Sequence, residues 1–115
     1  MDPLKILVVD DDASIREVLS IALSVEDGVG EVRQASNGRQ AVQTCHEFTP
    51  DLVMIDYWMP VMDGGDAAER IRALHPRVHI VAFSGALDSK PPWADSYFIK
   101  GELPDLAALV GGARV

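Results

Sequence analysis

The sequence is poor in several features that mark whole classes of protein. It has one cysteine among 115 residues, which excludes an internal disulfide and favours a reducing cytoplasm. No apolar run approaches the roughly 20 residues of a membrane-spanning helix, and the N-terminus lacks the pattern of a signal peptide. Basic residues number 10 against 18 acidic ones, and the formal net charge of -8 argues against direct binding to nucleic acid. Neither a membrane nor a nucleic acid is therefore an expected partner.

What remains is an ordinary globular composition, 48% hydrophobic and 24% charged. Residues 1–115 are expected to form a single domain with one core. Five short runs rich in apolar and β-branched residues predict strands. They are LKILVV, EVRQAS, DLVMID, VHIVAFSG and SYFIK.

Apolar residues at helical spacing lie between the predicted strands. They predict helices over about 13–25 with Asp12 as N-cap, from Asn37-Gly38, and after Asp63-Gly64. A last helix is marked by Leu103, Leu106, Leu109 and Val110, with Gly111-Gly112 beyond it. This alternation is typical of an α/β domain, in which a parallel sheet carries helices on both faces.

Polar side chains stand where the strong predicted strands end. Asp10 and Asp11 follow the first strand, Asp56 ends the third, Ser84 the fourth and Lys100 the fifth. Because the carboxyl ends of parallel strands meet at one edge of a sheet, these groups are expected to converge. Any one aspartate has an ordinary explanation, as a helix cap or as a strand end at the surface. The combination with the lysine favours a functional site.

The chemistry of such a site is specific. Neighbouring carboxylates repel unless a cation neutralises them, and a set of oxygen ligands suits Mg²⁺. A bound Mg²⁺ attracts phosphate oxygens, which Lys100 and Ser84 are able to hold as well. A carboxylate can itself attack phosphorus and form an aspartyl-phosphate, so Asp56 is a candidate phosphoacceptor.

The segments ILVVDDDASIREVL, DLVMIDYWMPVMDGG, IVAFSG and YFIKG occur in the order and near the spacing found in response-regulator receiver domains. The chain resembles this family of two-component signalling over essentially its whole length. The resemblance implies a flavodoxin-like, doubly wound, five-stranded sheet of order 2-1-3-4-5. It also implies a cytoplasmic phosphorelay protein that takes a phosphoryl group from a sensor histidine kinase or a histidine phosphotransfer protein.

The resemblance also implies a role for each matching position of the metal site. Asp56 corresponds to the phosphoacceptor. Asp11, Asp56 and the backbone carbonyl of Trp58 correspond to the direct Mg²⁺ ligands, and Asp10 to the acid that reaches the ion through water.

Three further positions match the groups that hold the phosphate and respond to it. Lys100 corresponds to the phosphate-binding lysine, and Ser84 to the switch hydroxyl. Tyr97 corresponds to the aromatic residue whose rotamer follows the switch, with simple packing as the alternative.

The connection between Ser84 and Lys100 departs from the family. It is shorter than usual and contains Pro91-Pro92, which a helix cannot run through. The family's fourth helix is therefore predicted to be missing or reduced to a turn. Since the family uses that helix for dimerisation and output, any homodimer is expected to use a non-standard face.

Two tryptophans are the other departures. Trp58, two residues after Asp56, predicts slow loss of the phosphoryl group by shielding it from water, and Trp58→Asn is the variant that tests this. Trp93, in the short connection, is either a contact for a partner or a cap on the core edge that the missing helix leaves open.

Three functions are compatible with these residues. The favoured one is a phosphorylatable switch that catalyses only its own phosphorylation and dephosphorylation. The second is a receiver-like interaction module that binds partners without switching. The third is a small Mg²⁺-dependent phosphohydrolase, which is disfavoured because such enzymes usually need a second acid at the position that Trp58 occupies.

Overall fold

A computed structural model of the chain describes residues 2–57, 59, 62–85, 89–99 and 105–113. The strands are β1 (Leu4–Val9), β2 (Val29–Ala35), β3 (Leu52–Asp56), β4 (His79–Ser84) and β5 (Ser96–Ile99). The helices are α1 (Ala13–Ser24), α2 (Gly38–Glu47), α3 (Gly64–Leu74) and α4 (Leu106–Ala113). No helix in this part of the chain is long and apolar enough to cross a membrane.

The strands form one parallel sheet of order β2-β1-β3-β4-β5. This confirms the α/β class and the strand order. The central strands are nearly continuous apolar runs, because helices cover both of their faces. Every residue of β3 is buried, and the last four residues of β1 are buried as well.

Helix starts follow the predicted capping residues. The Asp12 carboxylate accepts hydrogen bonds from the backbone N–H groups of Ser14 and Ile15, and Asn37 accepts one from Gln40. Asp63 accepts one from Asp66 at the start of α3. Each cap satisfies backbone donors that the first turn of a helix leaves without a partner.

Two apolar layers hold the helices on the sheet. One layer, on the α2 and α3 face, includes Val53, Ala67 and Ile71; the other, on the α1 and α4 face, includes Leu23 and Val110. Cys45 of α2 lies in the first layer. Burial raises the pKa of its thiol to about 11, which keeps the thiol neutral near pH 7.

Two predicted boundaries were wrong. β2 begins at Val29, two residues before the predicted EVRQAS strand, because Leu4 of β1 pairs with Val29. α4 runs through Gly111 and Gly112, where the sequence predicted an end. Glycine disfavours helix, but Ala113 packs against the second apolar layer and extends the helix past both glycines.

The connection from β4 to β5 has no helix in its described residues, Gly85 and 89–95. This agrees with the prediction that the family's fourth helix is shortened or absent. Arg72 of α3 holds the connection in place. Its Nη1 donates to the carbonyl of Val78 (3.1 Å), and its Nη2 donates to the carbonyl of Trp93 (3.4 Å) and to the carboxylate of Asp95 (2.8 Å). We call this set of contacts the Arg72 clamp.

Candidate functional site

Strand register brings three of the predicted site residues, Asp10, Asp56 and Ser84, to one edge of the sheet. Val9 lies opposite Ile55, so Asp10 and Asp56, the next residues in each chain segment, are neighbours at the ends of β1 and β3. Asp56 in turn lies opposite Phe83, and Ser84 follows directly. The carboxyl end of a parallel sheet is where α/β proteins bind ligands.

Asp10, Asp11 and Asp56 form the acidic cluster of this edge. Each offers a carboxylate oxygen, and the three oxygens lie within 4.8 Å of one another. Asp10 and Asp56 are buried, whereas Asp11 is exposed. Three oxygen donors at this spacing, one of them open to water, fit a hard divalent cation such as Mg²⁺ that keeps part of its hydration shell.

Asp10 is fixed by its own chain segment. Its Oδ1 accepts a hydrogen bond from the backbone N–H of Asp12 (2.8 Å), and its carbonyl accepts one from Nη1 of Arg16 (2.7 Å). Its N–H donates to the carbonyl of Ala35 in the neighbouring strand β2 (3.2 Å). Asp12 itself caps α1, so the three consecutive aspartates divide into two cluster members and one cap.

Ser84 and Tyr97 lie on the same face of the sheet. Tyr97 is paired with Ala82 across β4 and β5, and side chains alternate along each strand, so Ala82, Ser84 and Tyr97 share that face. Ser84 is buried, and Tyr97 is 37% exposed. Phe98 points to the other face, where its ring stacks on Phe83 with centroids 5.4 Å apart.

Two predicted site residues, Trp58 and Lys100, lie outside the described residues. Their chain neighbours are described. Tyr57 directly follows the buried Asp56, and Ile99, which precedes Lys100, lies opposite Ser84. The implied roles of Trp58 and Lys100 stay predictions.

The start of α3 supports the segment after β3, and the sequence did not predict that Trp93 joins it there. The N–H of Gly64 donates to the carbonyl of Tyr57 (2.9 Å), and a Cβ at Gly64 would overlap the backbone of Asp56. The rings of Tyr57 and Trp93 are in contact, with centroids 6.0 Å apart. The glycine pair at 64–65 was the available signal, because adjacent glycines at a helix start indicate close approach of other groups.

Comparison with known proteins agrees with this geometry. Residues 6–93 match the family described as the response regulator receiver domain. The chain belongs to the response regulator receiver family. As a receiver domain it is part of two-component signalling, and its acidic cluster is compatible with the Mg²⁺ that such domains bind.

Two curated proteins with different names resemble the chain. It is 30% identical over 104 residues to the response regulator protein VraR of Staphylococcus saprophyticus, covering 85% of this chain and 50% of that protein. It is 40% identical over 87 residues to protein-glutamate methylesterase/protein-glutamine glutaminase 4 of Geobacter metallireducens, covering 76% and 25%. The chain therefore spans half or less of the length of these relatives.

Solved structures also resemble it over nearly their whole length. The chemotaxis protein CheY4 of Vibrio cholerae superposes with a TM-score of 0.78 at 27% identity, with 98% of both chains covered. A response regulator receiver domain protein from Clostridium thermocellum gives a TM-score of 0.83 at 25% identity, with coverage of 96% and 93%. These similarities support the receiver fold.

Proposed function

We propose that this receiver domain accepts a phosphoryl group on Asp56 from a phosphohistidine donor and thereby switches its binding to a partner. The observation that carries the proposal is the acidic cluster. In a member of the receiver family, three carboxylates from β1 and β3 have oxygens within 4.8 Å of one another, and the innermost strand end supplies Asp56. An acid that only caps a helix or ends a strand at the surface needs no neighbouring carboxylates.

In the proposed transfer, a carboxylate oxygen of Asp56 attacks phosphorus. The new O–P bond forms as the P–N bond to the donor imidazole breaks, and the imidazole nitrogen takes up a proton. Attack by water on phosphorus later releases inorganic phosphate and restores the carboxylate. Because little covalent work falls to the protein, positioning and charge neutralisation provide the catalysis.

Mg²⁺ would be held directly by Asp11, by Asp56 and by the backbone carbonyl of Trp58, and by Asp10 through water. When bound, the ion neutralises charge on the phosphoryl oxygens and on the crowded carboxylates. Lys100 is the proposed cation for the same oxygens. The carboxylate oxygens of the acidic cluster support this Mg²⁺ site. Trp58 and Lys100 lie outside the described residues, and they are included because they match the family motif.

The proposed switch runs through Ser84 and Tyr97. A phosphoryl group on Asp56 would offer an acceptor to the Ser84 hydroxyl, whose strand β4 is the direct neighbour of β3. Movement of Ser84 would open or close space for the Tyr97 ring on the same face of the sheet. A ring that is 37% exposed on the edge strand β5 has solvent on one side into which it can move.

The proposed donor is the helical surface of a histidine kinase or phosphotransfer protein, acting in the cytoplasm. α1 starts directly after the acidic cluster. Val18 and Ile21 of α1 and its C-cap Val25 form an exposed apolar stripe at helical spacing, at 66%, 60% and 78% exposure. A protein that brings a phosphohistidine to this edge must lie against α1, and an apolar stripe suits a partner helix.

Phosphorylation by a small donor tests the proposal. Incubation with phosphoramidate, whose P–N bond imitates phosphohistidine, is expected to add the mass of one phosphoryl group only when Mg²⁺ is present. Asp56→Ala is expected to abolish the modification. The matched control is Asp27→Ala, which removes an exposed turn carboxylate. Modification that survives Asp56→Ala, or a parent that is never modified, overturns the proposal.

The absence of a helix from the described residues of the β4–β5 connection favours a second candidate, an interaction module that binds partners without switching. The described residues between β4 and β5 form no helix, so an output face of the usual family type is incomplete there. Partner binding measured with and without beryllofluoride and Mg²⁺ separates the two. Equal affinity in both conditions favours the second candidate, and a difference favours the switch.

A further inference from the structure

The N-terminal turn of α3 is the support for the segment that carries the proposed phosphoacceptor. The backbone of Asp56 and Tyr57 lies so close to Gly64 that any side chain at position 64 would overlap the Asp56 carbonyl. The Gly64 N–H also donates to the Tyr57 carbonyl at 2.9 Å. Position and orientation of Asp56 therefore depend on how firmly Tyr57 rests on this turn.

The Trp93 ring contacts the same turn at Gly65. A Cβ at Gly65 would lie 2.9 Å from Nε1 and 3.3 Å from Cδ1 of Trp93, closer than side chains ordinarily approach. The Trp93 ring also contacts the Tyr57 ring, at a centroid distance of 6.0 Å and an interplanar angle of 58°. One indole thus touches both the helix start and the residue after Asp56.

The indole is itself held in place. Trp93 is partly buried and packs against the apolar layer on the α2 and α3 face, and Arg72 donates to its carbonyl. Pro91 accepts from the N–H of Ala94 at 3.1 Å, and the Lys90 ammonium donates to the Ala94 carbonyl at 2.9 Å. Because these hydrogen bonds fix the turn that carries Trp93, its ring can restrain Tyr57 and the start of α3, which it contacts.

We infer that Trp93 is a positioning residue. It clamps Tyr57 against the start of α3 and so holds Asp56 at the angle that phosphoryl transfer needs. The Tyr57–Trp93 ring pair also joins the segment that carries Asp56 to the short β4–β5 connection. The inference rests on the proposed function for its catalytic consequence, whereas the clamping itself is a property of the unmodified domain.

The Gly64 amide reports directly on how firmly Trp93 holds Tyr57, because its proton exchanges with solvent only when the hydrogen bond to the Tyr57 carbonyl opens. Trp93→Ala is expected to speed hydrogen exchange at Gly64 by about tenfold, and Trp93→Phe, which keeps a ring, to stay near the parent. The amide of Met54 in the buried centre of β3 exchanges through global unfolding. Its change therefore measures the general loss of stability that removing a packed indole causes, and the change at Gly64 is compared with it. Ser89→Ala, an exposed change in the same connection, is the control variant.

Phosphorylation by phosphoramidate is the second readout. Trp93→Ala is expected to lower the maximal rate by about tenfold, in line with the cost of a small misplacement of a reacting group. The Mg²⁺ concentration that gives half the maximal rate is expected to change less than the rate itself. Gly65→Ala, which displaces the indole from below, is expected to act in the same direction and serves alone if Trp93→Ala does not fold.

The outcomes separate the inference from the function it builds on. An unchanged Gly64 exchange rate, an equal change at Met54, or a changed exchange rate with an unchanged maximal rate each overturns the positioning role. A parent that phosphoramidate never modifies overturns the proposed function, and the exchange rates then still decide whether Trp93 clamps Tyr57.

Discussion

Three acidic side chains share one edge of the sheet but differ in burial. Asp10 and Asp56 are held inside, whereas Asp11 faces water. Like charges this close repel, so the cluster costs stability whenever no cation is bound. In a stable domain, packing elsewhere offsets the stability that this repulsion removes, as is typical of functional sites.

Asp11→Asn tests that cost. The substitution removes one negative charge from the cluster while keeping the size of the side chain. In EDTA the thermal midpoint is expected to rise by a few degrees, because repulsion falls. The increase that Mg²⁺ produces in the parent is expected to shrink, because one ligand is lost. Asp27→Asn, outside the cluster, is expected to do neither, and a lower midpoint of Asp11→Asn in EDTA would contradict the argument.

Single residues also show where prediction from sequence succeeds and where it fails. Asp12 and Asn37 were predictable as caps, because a cap is a local pattern of a short polar side chain before an apolar helix face. The contact of Trp93 with Gly65 was not. Both residues are visible in the sequence, but their meeting depends on how α3 and the β4–β5 connection pack, and no local pattern encodes that.

At the level of elements, the Arg72 clamp binds the described part of the β4–β5 connection to α3. Burial raises the pKa of Asp95, but the hydrogen bonds from Arg72 and from the Ile80 N–H, together with the charges of Arg72 and His79, outweigh it and hold the pKa below its ordinary 3.8. A carboxyl whose pKa is lower in the folded state stabilises the fold at pH values above the unfolded pKa.

Asp95→Asn is therefore expected to lower the free energy of unfolding at pH 7. The advantage of the parent over the variant is expected to shrink as pH falls below 3.8 and through the lower folded pKa. Urea unfolding at a series of pH values measures this. Both partners are more than a third exposed, so solvent limits the effect to a modest size. A constant difference at all pH values would show that Asp95 acts through packing alone.

The exposed face of α1 allows a test of the proposed partner. Ile21→Lys places a charge in the apolar stripe but lies away from the acidic cluster. Transfer from a phosphohistidine protein that phosphorylates the parent is expected to slow at least tenfold, since burying an unpaired charge opposes docking. The rate with phosphoramidate is expected to stay unchanged. Gln43→Lys, an exposed change on α2, is the charge-matched control; if it slows transfer equally, net charge and not the stripe is responsible.

At the level of the whole molecule, the acidic excess adds a general term to these local ones. The formal net charge of -8 disfavours the compact state through self-repulsion. Salt weakens that repulsion, with a screening length of about 8 Å at 0.15 M. Sodium chloride is therefore expected to raise the thermal midpoint in EDTA.

A comparison at one ionic strength separates general screening from specific binding. Mg²⁺ is expected to add stability to the parent beyond that of sodium chloride, and to add little to Asp56→Ala, which lacks one cluster carboxylate. Differential scanning calorimetry of the two proteins in matched buffers measures this. Equal midpoints for the parent in the two salts would contradict a specific cation site in the acidic cluster.

The overall fold was predictable because its signals repeat. Buried strands alternate with amphipathic helices, and each strong strand ends in a polar residue, so both the sheet and its functional edge follow from the same pattern. The ends of the chain's weaker elements were less predictable. β2 begins early through its pairing with β1, and α4 continues through Gly111 and Gly112 through packing. Both boundaries are set by tertiary contacts.

The strand order has a consequence for synthesis on the ribosome. β1 is made first but ends in the interior of the sheet, between two strands that are made later. Asp10 and Asp56 come together only after β3 has been made and has paired with β1 across a long crossover, a kind of pairing that forms slowly. A nascent chain that stops before β3 thus carries two acids of the cluster but lacks Asp56, the proposed acceptor. Under the proposed function, unfinished copies would not compete with complete ones for phosphoryl groups.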